Sequence, residues 1–378
     1  MDFGYSEEQE MLRRSAREFL ENECPRTHVR EMMEDAKGYS PELYRKMAEL
    51  GWMGLIFPED CDGMGAGFVD LSVLLEEMGR ALLPGPFFAS VVLGGLTIAN
   101  EGTDAQKRRL LPPIANGEAQ MTLAYLEASA REDAEGVTLA AKRDGDAFYL
   151  TGQKMFVPDA HVSDHMLVAA RTANGATPEQ GVTMFVVDSR APGVSITPLR
   201  VTDGSKLCDV KFENVRLPVE DLVGVVNEGW PLLNRARVLG MAGLCSSMVG
   251  GAQMVMEMSV QYAKDRVQFG RPIGSFQVIK HKCADLLVAV ESAKSVAGYA
   301  AWAVDHDTKD APLAASMAKA WCSDAYRFVT REAIQIHGGI GFTWDHDLHL
   351  YFKTAKKDEV LFGDADYHRE LVAQMLDM

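Results

Sequence analysis

DRVQFGRPIGSFQVIKHK, residues 265–282, decides how the rest of the chain is read. Upstream of it Ala252, Val255, Met256, Ser259, Tyr262 and Ala263 recur every three or four residues, the spacing of one helical face. Downstream Phe276, Ile279, Cys283, Leu286, Leu287 and Val290 do the same, with Ser275 placed to cap the new helix. Gly270 and Pro272 interrupt the pattern between them. The spacing predicts two helices meeting at a corner that bunches arginines, amides and aromatic rings. Taken alone, such a corner is either a solvated turn or a binding surface.

A second unusual stretch, QIHGGIG at 335–341, ends a helical pattern that opens at Asp310 and Pro312, good residues for a helix start. Adjacent glycines after a helix can be no more than a C-cap. From Gly229 onward four long helical patterns follow one another, roughly 229–266, 275–305, 311–337 and 348–376. The front of the chain is helical as well. Ser6–Gln9 has capping-box spacing ahead of Leu12, Ala16, Phe19 and Leu20, Ser40–Pro41 opens another helix, and Leu110–Pro113 closes the region. The glycines between Asp62 and Gly67 lack the strand–turn–helix context of a phosphate cradle and read as a loop.

Between about Met121 and Val223 the period changes. Phe148–Leu150 follows the turn candidate Asp144–Gly145, Met166–Ala170 and Val182–Val187 are apolar runs of strand length, and Cys208, Val210 and Phe212 alternate with Asp209 and Lys211. Short strands set apart by turn residues predict a compact antiparallel sandwich or barrel. Helices, strands, helices in that order make an α+β chain of three domains: an N-terminal helical domain at 1–118, a central β domain at 119–224 and a C-terminal four-helix bundle at 225–378.

Composition limits the partners. The chain has 378 residues, 47% of them hydrophobic, enough for two or three cores. Its net charge of -16 opposes nucleic acid and anionic membranes, which require basic surface. Six scattered cysteines without a CxxC pair suggest neither a zinc site nor a disulfide framework. The acidic opening MDFGYSEEQE has no apolar signal region, and no unbroken apolar run reaches the length of a membrane span. A cytoplasmic, reduced setting is expected.

The RVQFGRPIGSFQ corner, the QIHGGIG turn, the helix order and the strand-rich middle together resemble the acyl-CoA dehydrogenase family over essentially the whole chain. The resemblance implies FAD as cofactor and an acyl-CoA thioester as substrate. It implies a carboxylate that takes the α proton while the β hydrogen leaves as hydride, forming an α,β double bond. It places the cofactor against Arg266, Gln268, Phe269, Gln277, Gln335, Gly338 and Gly339, partly from a neighbouring subunit, and against Phe156 and Val157 of the β domain. The residue types suit such a ligand, because a guanidinium neutralises diphosphate, an amide reads polar edges, and glycine lets backbone come close. The resemblance also implies a tetramer, with like or related subunits, and an electron-transfer flavoprotein or similar acceptor.

The chain departs from the family's pattern at several of these places. Where the family has a threonine–glutamate pair and then a glycine–serine–aspartate turn, this chain reads Tyr125 to Asp133 as YLEASARED. Hydroxyls for the flavin ring and diphosphate are therefore absent or moved. Pro158 stands where many members carry a hydroxyl for the flavin and offers no amide hydrogen. The family's glutamate base falls on Gly363, or Phe362 if the register slips by one. In another branch it falls on Gly240, with Met241 in place of an arginine. Neither position is a carboxylate. Asp364 and Asp366 are the nearby acids, and each also reads as a helix-cap or loop aspartate. Three readings follow: a dehydrogenase whose base is Asp364 or Asp366 or lies elsewhere, the base-less subunit of a heteromeric complex acting on steroid or ring acyl-CoAs, and a flavin-free scaffold. His337, His346, Asp347 and His349 invite a metal reading, but they lack helical ligand spacing and the family uses no metal.

Overall fold

The computed structural model describes residues 4–378; Met1, Asp2 and Phe3, part of the acidic opening, lie outside them. Internal contacts divide the chain into two compact units. One comprises the stretch up to Glu31, Gly67–Leu83 and Met241–Met378; the other comprises Met32–Ala66 and Pro84–Gly240.

The first unit is helical. Its opening helix Glu7–Glu23 starts on the capping box expected from sequence: Ser6 Oγ accepts from Gln9 N at 3.2 Å while Gln9 Oε1 accepts from Ser6 N at 3.0 Å. The longest helix, Trp230–Asp265, enters this unit at Met241. It meets helix Phe68–Ala81 so closely that a Cβ at Gly250 would lie 1.8 Å from Glu76 O, and one at Gly79 would lie 2.0 Å from Ser247 O. Glycine at both positions is what allows the two backbones to touch. Helices Gln277–Asp305 and Ala311–His337 complete the long set. The fourth pattern, 348–376, is two helices, Leu348–Val360 and Ala365–Met375. Phe362 and Gly363 break it with φ of 61° and 97°, a left-handed corner that no helix continues through.

Helix Trp230–Asp265 is also long and apolar enough to cross a membrane by length and composition, which run-counting missed. Yet 83% of its apolar window is buried, as in the core helix of a globular protein.

The second unit carries an eight-stranded sheet in the order Val194–Pro198, Leu207–Pro218, Ala147–Pro158, Ala140–Asp144, His165–Arg171, Val182–Asp188, Leu222–Val223. Most pairings are antiparallel, but Met121–Ala124 joins His165–Arg171 in parallel. Phe148, Leu150, Val168, Phe185, Val210 and Phe212 form its core, with the rings of Phe148 and Phe185 5.0 Å apart. Pro41–Glu49 begins where Ser40 caps it, accepting from Leu43 N at 3.2 Å. Leu110–Pro113 lies in the last helix before the strands. Helix Asp104–Ala115 runs through both prolines, and Arg108 and Arg109, whose carbonyls lose helical partners, face solvent.

Candidate functional site

In the helical unit the Asp265–Lys282 corner forms as expected, with one addition. Val267–Gln268 and Arg271–Pro272 pair as a two-residue antiparallel hairpin, with Phe269 and Gly270 at φ of 54° and 75°. Two successive left-handed residues make the tight turn that fits strand twist, and glycine is at home in the second place. Phe269 occupies the first at a steric cost, almost fully exposed, its ring 6.1 Å from that of Phe276. Arg271 lies over Phe276, 4.2 Å from the ring centre. Ser275 does not cap the next helix. It ends a 3-10 turn, Ile273–Ser275, and Phe276 takes the cap position without a side-chain bond.

Arg266, Gln268, Gln277 and Gln335 are exposed, and the Arg266 side chain makes no hydrogen bond or ion pair among the described residues. Gly338 ends helix Ala311–His337 at φ 66°, and a Cβ on Gly338 or Gly339 would meet nothing within 4 Å. An unengaged guanidinium, three amides and open glycine backbone fit the charged and polar half of a dinucleotide. Beyond the glycines Ile340, Phe342 and Trp344 are exposed in alternation, a signal that sequence reading passed over. Lys353 Nζ lies 3.7 Å from the Trp344 ring centre.

His337 stacks on Tyr262 at 4.3 Å and meets His346 edge-on at 4.8 Å. Burial lowers the pKa of His337. Arg30 donates to Asp347 at 2.8 Å and lies 3.2 Å from His349 Nε2. A guanidinium therefore fills the place a metal ion would need, and among the described residues no three metal-ligating side chains converge.

The corner at Phe362–Gly363 is gripped from below. Lys319, with no exposed surface, donates through Nζ to Ser323 Oγ at 3.0 Å, Glu359 O at 3.0 Å and Gly363 O at 2.9 Å. Buried His368 Nε2 donates to Phe362 O at 2.9 Å. Asp364 caps the final helix, accepting from Tyr367 N at 2.9 Å, while Asp366 is exposed and pairs with Arg369 at 2.7 Å. Gly240 and Met241 lie within the long helix.

In the β-bearing unit, the ladder between Ala147–Pro158 and Leu207–Pro218 slips between Lys154 and Val157. The slip frees Met155 and Phe156: Met155 N donates to Leu126 O at 2.9 Å, and Phe156 takes a left-handed φ of 54° and is 41% exposed. A bulky side chain in that conformation carries backbone strain. Val157 beside it is buried. Lys154, wholly buried, donates to Glu127 at 2.7 Å and Tyr125 O at 2.9 Å. Glu127 also accepts from Thr138 N, Leu139 N and the Thr138 hydroxyl. Burial brings the Lys154 ammonium down to about 8, partly offset by Glu127. Burial works against the Glu127 anion too, but Lys154 and the surrounding donors outweigh it and hold the carboxyl below its ordinary range.

Sequence spacing did not reveal the cluster of Glu132, Arg237 and Tyr125. Glu132 lies 3.0 Å from Arg237 Nη2 and accepts from the Tyr125 hydroxyl at 3.0 Å. The two charged side chains are 9% and 5% exposed, so the pair is desolvated. Burial, and then the Glu132 charge, push the Tyr125 phenol well above its usual value.

Acyl-CoA dehydrogenase domains match along the chain: the N-terminal domain at residues 6–118, the middle domain at 122–215 and the C-terminal domain at 227–376. The 3-(aryl)acrylate reductase of Clostridium sporogenes is 31% identical, with 98% of this chain and 99% of that protein covered. The structure of butyryl-CoA dehydrogenase from Megasphaera elsdenii superposes with a TM-score of 0.93 at 26% identity over 100% of each chain. A chain of the ChsE4–ChsE5 complex from Mycobacterium tuberculosis superposes at 0.90 and 26% identity, covering 100% of this chain and 99% of that one. The chain belongs to the acyl-CoA dehydrogenase family, FAD-dependent oxidoreductases that act on the CH–CH group of acyl-CoA thioesters.

Proposed function

We propose that this chain dehydrogenates an acyl-CoA at the α,β position as one of two unlike subunits, with the carboxylate base supplied by its partner. The observation that supports this reading is the state of the expected base positions. Phe362–Gly363 and Gly240 offer no carboxylate, and the nearest acids are engaged, Asp364 in capping a helix and Asp366 with Arg369.

Bound FAD supplies the electron sink for the β hydrogen. The chain's own residues bind and orient. Arg266 neutralises diphosphate charge, Gln268, Gln277 and Gln335 read polar edges, Gly338 and Gly339 admit close approach, and Phe269 adds an aromatic face. Phe156 and Val157 of the β-bearing unit would hold the flavin ring. Resemblance to a subunit complex of unlike chains favours a heterotetramer over a homotetramer. The same reading keeps the three domains at 1–118, 119–224 and 225–378, an electron-transfer flavoprotein or similar acceptor, and a cytoplasmic location. A second reading, with Asp364 or Asp366 as the base, draws on their position just beyond the Phe362–Gly363 corner.

The deciding experiment is anaerobic mixing of the FAD-loaded chain, alone, with linear, branched and ring-bearing acyl-CoAs. We expect no flavin bleaching until a glutamate-bearing partner subunit is added. Bleaching by the chain alone overturns the partner reading, and Asp364→Asn and Asp366→Asn then locate the base. Arg266→Ala is expected to lower FAD occupancy about tenfold, read from flavin absorbance per chain. Unchanged occupancy would count against the cofactor assignment.

A further inference from the structure

We infer that Lys154 is a positioning residue for the flavin: its bonds to Tyr125 and Glu127 fix the Phe156 bulge in the shape that meets the ring. The inference rests on the reading in which Phe156 and Val157 hold that ring. Phe156 sits at φ 54° where the ladder slips, and neither it nor Met155 has a partner in the pairing with Leu207–Pro218. A bulky residue stays in left-handed backbone only where its surroundings over-determine it. On one side of the bulge Val157 is buried in the sheet core. On the other, Lys154 Nζ donates to Tyr125 O and Met155 N donates to Leu126 O, each at 2.9 Å. Consecutive carbonyls of the neighbouring stretch are thus held from the bulged strand.

That stretch is itself fixed. Glu127 closes it by accepting from Thr138 N at 2.8 Å and Leu139 N at 2.9 Å, and Arg171 anchors it by donating to Ala134 O at 2.6 Å and Val137 O at 3.0 Å. Lys154 therefore joins the bulge to a rigid wall. Stability alone gives no reason for a lysine there. Burying an ammonium and a carboxylate costs about what their attraction returns, and an apolar pair of similar volume would pack as well. What an apolar pair cannot do is hold Tyr125 O and Glu127 in register with Phe156.

The test is calorimetric titration of the full chain, freed of flavin, with FAD on both sides of pH 8, beside the visible spectrum of the bound flavin. Glu127→Met/Lys154→Met strands no buried charge, and circular dichroism checks that its sheet is intact. It is expected to bind FAD about tenfold more weakly and to shift the flavin band, because the bulge is no longer preorganised. Burial brings the Lys154 ammonium down to about 8, and the charged groups facing it are Glu127 and Arg171. The ammonium is present below that value and lost above it. FAD binding by the unaltered chain should therefore weaken as pH rises through about 8, and the double variant should lack that inflection. A lysine that only filled the core would give no inflection and no band shift, and that result overturns the inference. If the double variant does not fold, Glu127→Gln decides: with the carboxylate charge gone the inflection should move to lower pH, and an unmoved inflection overturns the inference. Phe156→Ala separates this inference from the reading beneath it. Weaker FAD binding by Phe156→Ala, with none by the double variant, overturns the role of Lys154 and leaves the flavin contact standing. Unchanged binding by Phe156→Ala fails the contact itself, and the inference with it.

Discussion

Two lysines with no exposed surface hold the two units' most altered segments, and they do it differently. Lys154 sets its ammonium against the Glu127 carboxylate and a carbonyl, stitching the Tyr125–Asp133 segment to the strand that carries Phe156. Lys319 sets its ammonium against a hydroxyl and two carbonyls, clamping the Phe362–Gly363 corner. The contrast teaches that a buried ammonium can anchor an irregular segment either by pairing with a carboxylate, as Lys154 does with Glu127, or by gathering carbonyls, as Lys319 does. Beneath Glu132 and Phe362, side chains that depart from the family's pattern, the buried framework is fully built.

The contrast can be broken by removing each ammonium. Lys154→Met leaves Glu127 as a buried charge without its counter-ion and should cost about 3–5 kcal/mol. Denaturant unfolding measures it, and a companion Glu127→Met/Lys154→Met variant should recover part of the loss because no charge is stranded. A loss below about 1 kcal/mol would mean the pair is solvated and the contrast false. Lys319→Met leaves one hydroxyl and two carbonyls without their donor, and the expected cost is smaller, about 2–3 kcal/mol. Hydrogen exchange should rise around 359–364 while the sheet stays protected; uniform deprotection would show that the clamp is not local. Asp364→Ala should cost about 1 kcal/mol, the usual worth of a cap.

The smallest effect is a pH dependence. Glu127 is held below its ordinary pKa in the folded chain, so its stabilisation is complete above the unfolded carboxylate value and is lost as pH falls through the folded value. Glu127→Gln should therefore flatten the acid limb of a plot of Tm against pH. An unchanged limb would place the acid sensitivity elsewhere.

Local patterns were legible and long-range ones were not. Helical periodicity with a glycine–proline break announced the 265–282 corner, and Ser6 and Ser40 announced their caps. Ser275 misled because a 3-10 turn can use the same residues that cap an α-helix, leaving Phe276 at the boundary. The break at Phe362–Gly363 was hidden because apolar spacing continues across it, while the left-handed backbone is a property of the packed corner. Glu132 and Arg237 are 105 residues apart, and no spacing rule joins such partners. The residues that the resemblance places against the cofactor suit phosphate and polar edges by type, but no spacing within the chain says how they come together.

The apolar helix Trp230–Asp265 has a consequence for synthesis. Its Gly250 face is covered by Phe68–Ala81, made earlier, but Gly251 lies against the Tyr326 hydroxyl, on a helix that leaves the ribosome some sixty residues later, roughly 3–12 s at usual elongation rates. During that interval the nascent chain displays a stretch hydrophobic enough to be taken for a membrane segment. Chains arrested at Asp305 should therefore bind chaperone or vesicles more than chains arrested at His337, as ribosome-bound cofractionation would show. Equal binding at both lengths would mean the earlier helices already suffice as cover.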